Sequence, residues 1–83
     1  MSGNVDNDYS ITQRLDACGL SCPLPLLKAK QALNRLQSGD VLQVIATDAG
    51  SVRDFKAFTD QSGDQLLQST EQQGQYMYLI RKA

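Results

Sequence analysis

Four consecutive residues, Cys22-Pro23-Leu24-Pro25, place a thiol directly in front of a proline pair and an amphipathic run that continues to Leu36. Proline suits the first positions of a helix, where its missing N–H has no partner to lose. The spacing therefore puts Cys22 at or just outside a helix N-terminus. The positive end of the helix dipole favours thiolate over thiol, and with Pro23 and Pro25 lacking N–H groups the remaining donors beside the sulfur are those of Leu24 and Leu26. The expected chemistry is that of a nucleophilic thiol whose pKa is lowered by about one unit. The plainer alternative is a small buried hydrophobe, a common fate of free cysteine. A second thiol, Cys18, stands in the preceding loop. Its spacing admits a disulfide with Cys22 if the loop curls, or a resolving thiol; the simpler reading, a loop residue without an essential role, is preferred.

Composition removes most other chemistry. With two cysteines and no histidine, neither a Cys–His nucleophile pair nor a His-ligated metal can be built, and two thiols do not close a structural zinc site. No metal and no organic cofactor are expected. The chain lacks tryptophan and a Gly-rich phosphate loop, which argues against nucleotide chemistry. A net charge of -1 with eight scattered Lys and Arg residues gives no footprint for stable nucleic-acid binding. No apolar run approaches the roughly 20 residues of a membrane span, and the polar, acidic start does not read as a signal peptide. A cytoplasmic location, in which the thiols stay reduced, is the expectation. At 83 residues the chain reads as one small domain over 9–83 behind a flexible tail at 1–8. So small a domain has no room for a deep cavity, which favours docking of partners on an exposed site.

The elements that must position Cys22 follow from periodicity. A strand is expected around Thr12–Asp16, and a helix from about Pro23 to Gln37 with Leu26, Ala29, Leu33 and Leu36 as its buried stripe. Gly39 suits the left-handed position that ends a helix. Val41–Thr47 is a nearly continuous apolar and β-branched run, the mark of a buried strand. Ser51-Val52-Arg53-Asp54 has the form of a capping box with Asp in the last position, opening a second helix to about Gln61 whose apolar face is Val52, Phe55 and Phe58. Gln65–Thr70 and Gln75–Arg81 read as a hairpin turning at Gln72-Gln73-Gly74. The order β-α-β-α-β-β gives an α/β (α+β) two-layer sandwich, with two helices on one face of the sheet. Two strand-helix-strand units imply parallel pairing, with the last strand antiparallel. Cys22, the 48–54 segment and the hairpin turn then share one edge of the sheet, and Arg81 and Lys82 lie at the other. On the shared edge Ser51 and Asp54 are accounted for by capping. Arg53 opposes the helix dipole, so it and Asp48 are candidates for partner contact, while Lys28, Lys30 and Arg35 make the first helix partly basic.

The run Leu15-Asp16-Ala17-Cys18-Gly19-Leu20-Ser21-Cys22-Pro23-Leu24-Pro25 resembles the L-D-x-x-G-L-x-C-P-x-P signature of the TusA/SirA-like sulfur carrier proteins. The likeness continues through Ala46-Thr47-Asp48, Gly50-Ser51-Val52-Arg53-Asp54-Phe55, Gly63, Leu66-Leu67 and Tyr78-Leu79-Ile80-Arg81-Lys82. The resemblance implies a mixed four-stranded sheet and a relay in which Cys22 receives a sulfane sulfur as a persulfide and passes it on. The donor it implies is a cysteine desulfurase or rhodanese-type protein, and the acceptor is another protein. Family members serve tRNA thiolation, molybdenum cofactor maturation or sulfur metabolism. Two positions depart from or fall outside the pattern: Ala49 stands where relatives often have Pro, and Cys18 fills a position that the signature leaves open. Competing readings are a regulatory interaction module that tolerates loss of the thiol, a dithiol redox protein using Cys18, and a nucleic-acid-binding domain, since the sandwich is similar to the C-terminal domain of a bacterial translation initiation factor.

Overall fold

The computed structural model describes residues 10–83; the expected tail at 1–8 and the start of the alternating pattern at Tyr9 lie outside the described residues. The elements run β1 (Gln13–Ala17), α1 (Leu24–Asn34), β2 (Val41–Ala46), α2 (Ser51–Ser62), β3 (Gln65–Gln72) and β4 (Gln75–Arg81). The order is the expected β-α-β-α-β-β, and the four strands form one mixed sheet, β1-β2-β4-β3.

Side-chain alternation explains why helices cover one face. Leu42, Val44 and Ala46 of β2 and Tyr78 and Ile80 of β4 point into one buried cluster with Ala17 of β1. Ala29, Ala32 and Leu33 of α1 and Phe55 of α2 complete it. The rings of Phe55 and Tyr78 stack at 4.5 Å between centroids. No helix is long and apolar enough to cross a membrane among the described residues.

Only the first strand-helix-strand unit pairs as expected. β1 lies parallel to β2, with Leu15 opposite Val44. β3 does not pair with β2, because β4 enters between them and pairs antiparallel with both. Burial decides this order. β4 carries Tyr78, Leu79 and Ile80, all buried, whereas most of β3 beyond Leu66-Leu67-Gln68 is exposed. The apolar strand takes the interior position and the polar one the edge, where a register shift between Leu66 and Gln68 interrupts the ladder. The hairpin turns on Gln73 (φ 53°) and Gly74 (φ 80°), the two successive positive φ values that match strand twist.

α1 is shorter than its periodicity predicts, ending at Asn34 rather than near Gln37. The N–H groups of Arg35 and Leu36 bond the carbonyls of Ala32 and Leu33, three residues back, which tightens the last turn and closes the helix. Gly39 is left-handed (φ 91°) but is not the helix terminator. It sits in a turn that the Asp40 carboxylate closes on the Gln37 N–H, and its own N–H bonds the Lys82 carbonyl. The loop after α1 is thereby tied to the end of β4, the edge away from Cys22.

Candidate functional site

The carboxyl ends of β1 and β2 lie side by side, with Ala17 opposite Ala46, so the loops leaving them are neighbours. The first carries Cys18 to Pro23 and the second Thr47 to Gly50. Their packing is fixed by a bond from the Gly19 N–H to Thr47 Oγ1 at 2.9 Å. Tyr76 of β4 lies opposite Ala46, which brings the hairpin turn to the same edge.

Cys22 is exposed immediately before Pro23, the N-cap position of α1, and the Cys22–Pro23 peptide bond is cis. Pro25 is buried and pins the first turn of the helix to the core. The expected supply of N–H donors at this helix end is smaller than the sequence implied. The Leu24 N–H is already bonded to the Ser21 carbonyl at 2.8 Å, and no side chain caps the helix.

The sulfur instead meets a carboxylate. Cys22 Sγ lies 2.7 Å from Asp54 Oδ2 across 32 residues of sequence. Asp54 raises the thiol pKa by accepting its hydrogen, with smaller contributions from desolvation and from the negative charges of Asp54 and Asp48; Arg53 opposes them. The shift is thus upward, opposite to the lowering expected from the helix terminus, because the helix end offers few free donors and α2 brings an acid. Gly50, the N-cap of α2, lies against the same sulfur: a Cβ there would stand in ordinary contact at 3.9 Å from Cys22 Sγ but only 2.9 Å from Asp48 Oδ2, so the glycine leaves room for the Asp48 carboxylate. That Asp48 oxygen is buried with no hydrogen-bond partner.

The Ser51-to-Asp54 pattern is not a capping box. Ser51 is the first residue of α2 and is buried, its hydroxyl donating to the Asp48 carbonyl at 2.7 Å and paired with the Tyr78 hydroxyl at 2.6 Å. It locks the start of α2 and the Asp48 turn onto the sheet. Val52 is exposed rather than part of the buried face of α2, and with Leu24 and Leu27 it is one of three large apolar side chains left between 44% and 46% exposed. All three stand in the opening turns of the two helices that flank Cys22. Arg53 is exposed, and the one ion pair among the described residues, Lys56–Asp60, does not involve it.

Cys18 belongs to different surroundings. Its N–H donates to Asp16 Oδ1 at 2.9 Å, and its sulfur approaches the Ile45 carbonyl at 4.0 Å. Asp16 raises its pKa, through the thiol hydrogen bond first. With Arg14, Asp16, Gln43, Ile45 and Gln75 it lines a shallow groove of about 330 Å³ on the helix-free face of the sheet. Both thiols are free and exposed, one facing α2 and the other this groove. Among the described residues no cluster of three or more His, Cys, Asp or Glu side chains is arranged to hold a metal ion.

Sequence reasoning thus reached Cys22, Pro23, Pro25, Arg53 and Asp48, which the fold gathers at one edge. It missed the Cys22–Asp54 contact, the close approach at Gly50 and the apolar rim. Helical phase held the signal for two of the three rim residues, since Leu24 and Leu27 fall off the stripe of Leu26, Ala29 and Leu33, whereas Val52 shares the phase of Phe55 and gave none.

Comparison with known proteins gives the chain's relatives in sequence and in fold. The profile of the family described as sulfurtransferase TusA matches residues 13–82. The sulfur carrier protein TusA of Allochromatium vinosum is 56% identical over 71 residues, covering 86% of this chain and 93% of that one. The sulfur carrier protein TusA of Pseudomonas putida is 41% identical over 75 residues, 90% of this chain and 94% of its own. The crystal structure of a SirA-like protein from Desulfitobacterium hafniense superposes with a TM-score of 0.75 at 28% identity, covering 83% of this chain and 95% of that one.

Proposed function

Because the chain belongs to the TusA family of sulfur carriers, we propose that Cys22 is the residue that carries the transferred sulfur, as a persulfide relayed between two proteins. The observation that carries this reading is an exposed thiol at the head of α1, in the opening turns of two helices that leave Leu24, Leu27 and Val52 uncovered. A relay between proteins needs that arrangement, since donor and acceptor must each reach the sulfur.

The step is a thiol–persulfide exchange. The Cys22 sulfur, as thiolate, attacks the outer sulfur of the donor's persulfide; the donor's S–S bond breaks and its inner sulfur leaves as a thiolate, which takes up the proton Cys22 gave. One S–S bond forms for one broken, so no net electrons move and no cofactor is required. Onward transfer repeats the exchange with Cys22 as the leaving sulfur. Pro23 and Pro25 fix the thiol at the helix head, while Asp48 and Arg53 meet the partner. The donor is a cysteine desulfurase or rhodanese-type protein, and the acceptor is a protein of tRNA thiolation, molybdenum cofactor maturation or sulfur metabolism. The carrier unit spans 9–83 behind a short tail and works in the cytoplasm. Cys18 is outside the reaction, consistent with its place on the other face of the sheet.

The test is intact mass after incubation with a donor and its substrate. Wild type and Cys18→Ser gain one reductant-labile sulfur and Cys22→Ser gains none. An undiminished gain in Cys22→Ser would refute the assignment, as a gain lost in Cys18→Ser would refute the passive role of Cys18.

A further inference from the structure

We infer that Asp54 is a positioning residue that holds Cys22 in the thiol form between transfers, so that the unloaded carrier is guarded and its thiol becomes free to accept sulfur only when a partner alters this contact. The inference rests on the carrier reading of Cys22 and adds its regulation. As a first-turn acid of α2, Asp54 needs no partner beyond the helix dipole and water. Instead its carboxylate lies 2.7 Å from the sulfur, 32 residues away in sequence, and it is half-buried there. A carboxylate only accepts hydrogen bonds, so the contact requires the hydrogen on sulfur: a thiolate in the same place would meet a like charge. The other groups facing the sulfur are Asp48, from the loop after β2, which acts in the same sense, and Arg53, from α2, which opposes it. The head of α1 contributes Pro23, Leu24 and Pro25 and no charge. Once loaded, the Cys22 sulfur has given up its hydrogen for a bond to the outer sulfur. The hold then lapses, leaving the outer sulfur free of Asp54. The device distinguishes the empty carrier, which stays inert toward stray oxidants and disulfides, from the loaded one.

The experiment follows iodoacetamide alkylation across neutral to alkaline pH in a Cys18→Ser background, where Cys22 is the sole thiol. The parent profile has its midpoint above the free-thiol value of about 8.5. Asp54→Asn moves the midpoint down and raises the rate at neutral pH at least about threefold, since a midpoint lower by about one pH unit means roughly tenfold more thiolate. Asp54→Glu, which keeps the carboxylate, stays nearer the parent than Asn does. Coincident profiles for Asp and Asn, a midpoint moved to higher pH, or a Glu variant that moves as far as Asn would each overturn the inference. A readout that needs no change at position 54 is the S–H Raman stretch of the Cys18→Ser protein: it falls below that of the urea-unfolded chain if the thiol donates, and equal frequencies refute the contact. Neither assay uses a sulfur donor. Their failure leaves the carrier reading intact, and failure of Cys22 to load sulfur leaves them interpretable.

Discussion

At the scale of single residues, each thiol has an aspartate for a neighbour, Asp54 beside Cys22 and Asp16 beside Cys18, and both thiols are raised above their ordinary value. Linkage turns this into a pH dependence of folding. A group whose pKa is raised on folding contributes stability that is complete below its unfolded value and lost as pH rises through the folded one. Stability therefore declines on the alkaline side, beginning near the free-thiol value of about 8.5. Tyr78, raised chiefly by burial, extends the decline to higher pH. The urea midpoint measured from neutral to alkaline pH falls in wild type. It falls less steeply in Cys22→Ser, without becoming flat, because Cys18 and Tyr78 keep their share. An unchanged slope in Cys22→Ser contradicts the Asp54 contact. Asp16 works in the opposite direction: the Cys18 N–H lowers its pKa, so its contribution is present above the ordinary carboxyl value and is lost as pH falls through the lowered one.

At the scale of elements, the site depends on how the start of α2 is fastened. Phe55 stacks on Tyr78 inside the core, and the Tyr78 hydroxyl reaches Ser51 at the helix start. Removing the ring in Phe55→Ala opens a cavity and costs about 3–5 kcal/mol in urea unfolding. Tyr78→Phe costs about 1 kcal/mol, the low end for a buried hydrogen bond, because Ser51 retains the Asp48 carbonyl. A Tyr78→Phe loss as large as that of Phe55→Ala would show that the hydroxyl, not the ring, fastens the helix. These ties also explain which elements were legible in the sequence. Strand β2 and the Gln73-Gly74 turn are set by local periodicity and local φ preference and stand where their residues place them, as α1 does except that its last turn closes at Asn34, short of the expected Gln37. The interior position of β4 is a competition between whole strands, decided by the burial of Tyr78, Leu79 and Ile80. Ser51 and Asp54 matched a capping pattern over four residues, yet their contacts are with Tyr78 and Cys22, 27 and 32 positions away. Nothing local distinguishes an acid that caps from one that meets a thiol, so the site's second group was out of reach although its first was plain.

At the scale of the whole molecule, the sheet edge that bears Cys22 differs from the opposite edge in kind. The far edge, where Gly39, Lys82 and the end of α1 are tied together, offers lysines beside Asp64. The Cys22 edge offers a thiol with uncovered Leu24, Leu27 and Val52. On a chain whose net charge is only -1, long-range attraction selects partners weakly, and burial of these three side chains is the larger source of affinity. The test is a triple change to neutral glutamine at 24, 27 and 52. Charge is avoided because a new acid beside the sulfur would raise the thiol pKa and mimic a docking defect. Exposed positions of this kind tolerate substitution within about 0.5 kcal/mol each, so the variant folds, and its alkylation profile coincides with that of wild type. Loading by an inorganic polysulfide, which needs no docking surface, proceeds at the wild-type rate. Loading by a protein donor slows about tenfold or more, the equivalent of one lost contact residue of moderate weight. Equal loss with both sulfur sources would mean that the rim acts on the thiol itself, and no loss with the protein donor would mean that partners approach Cys22 from the open face of the sheet instead.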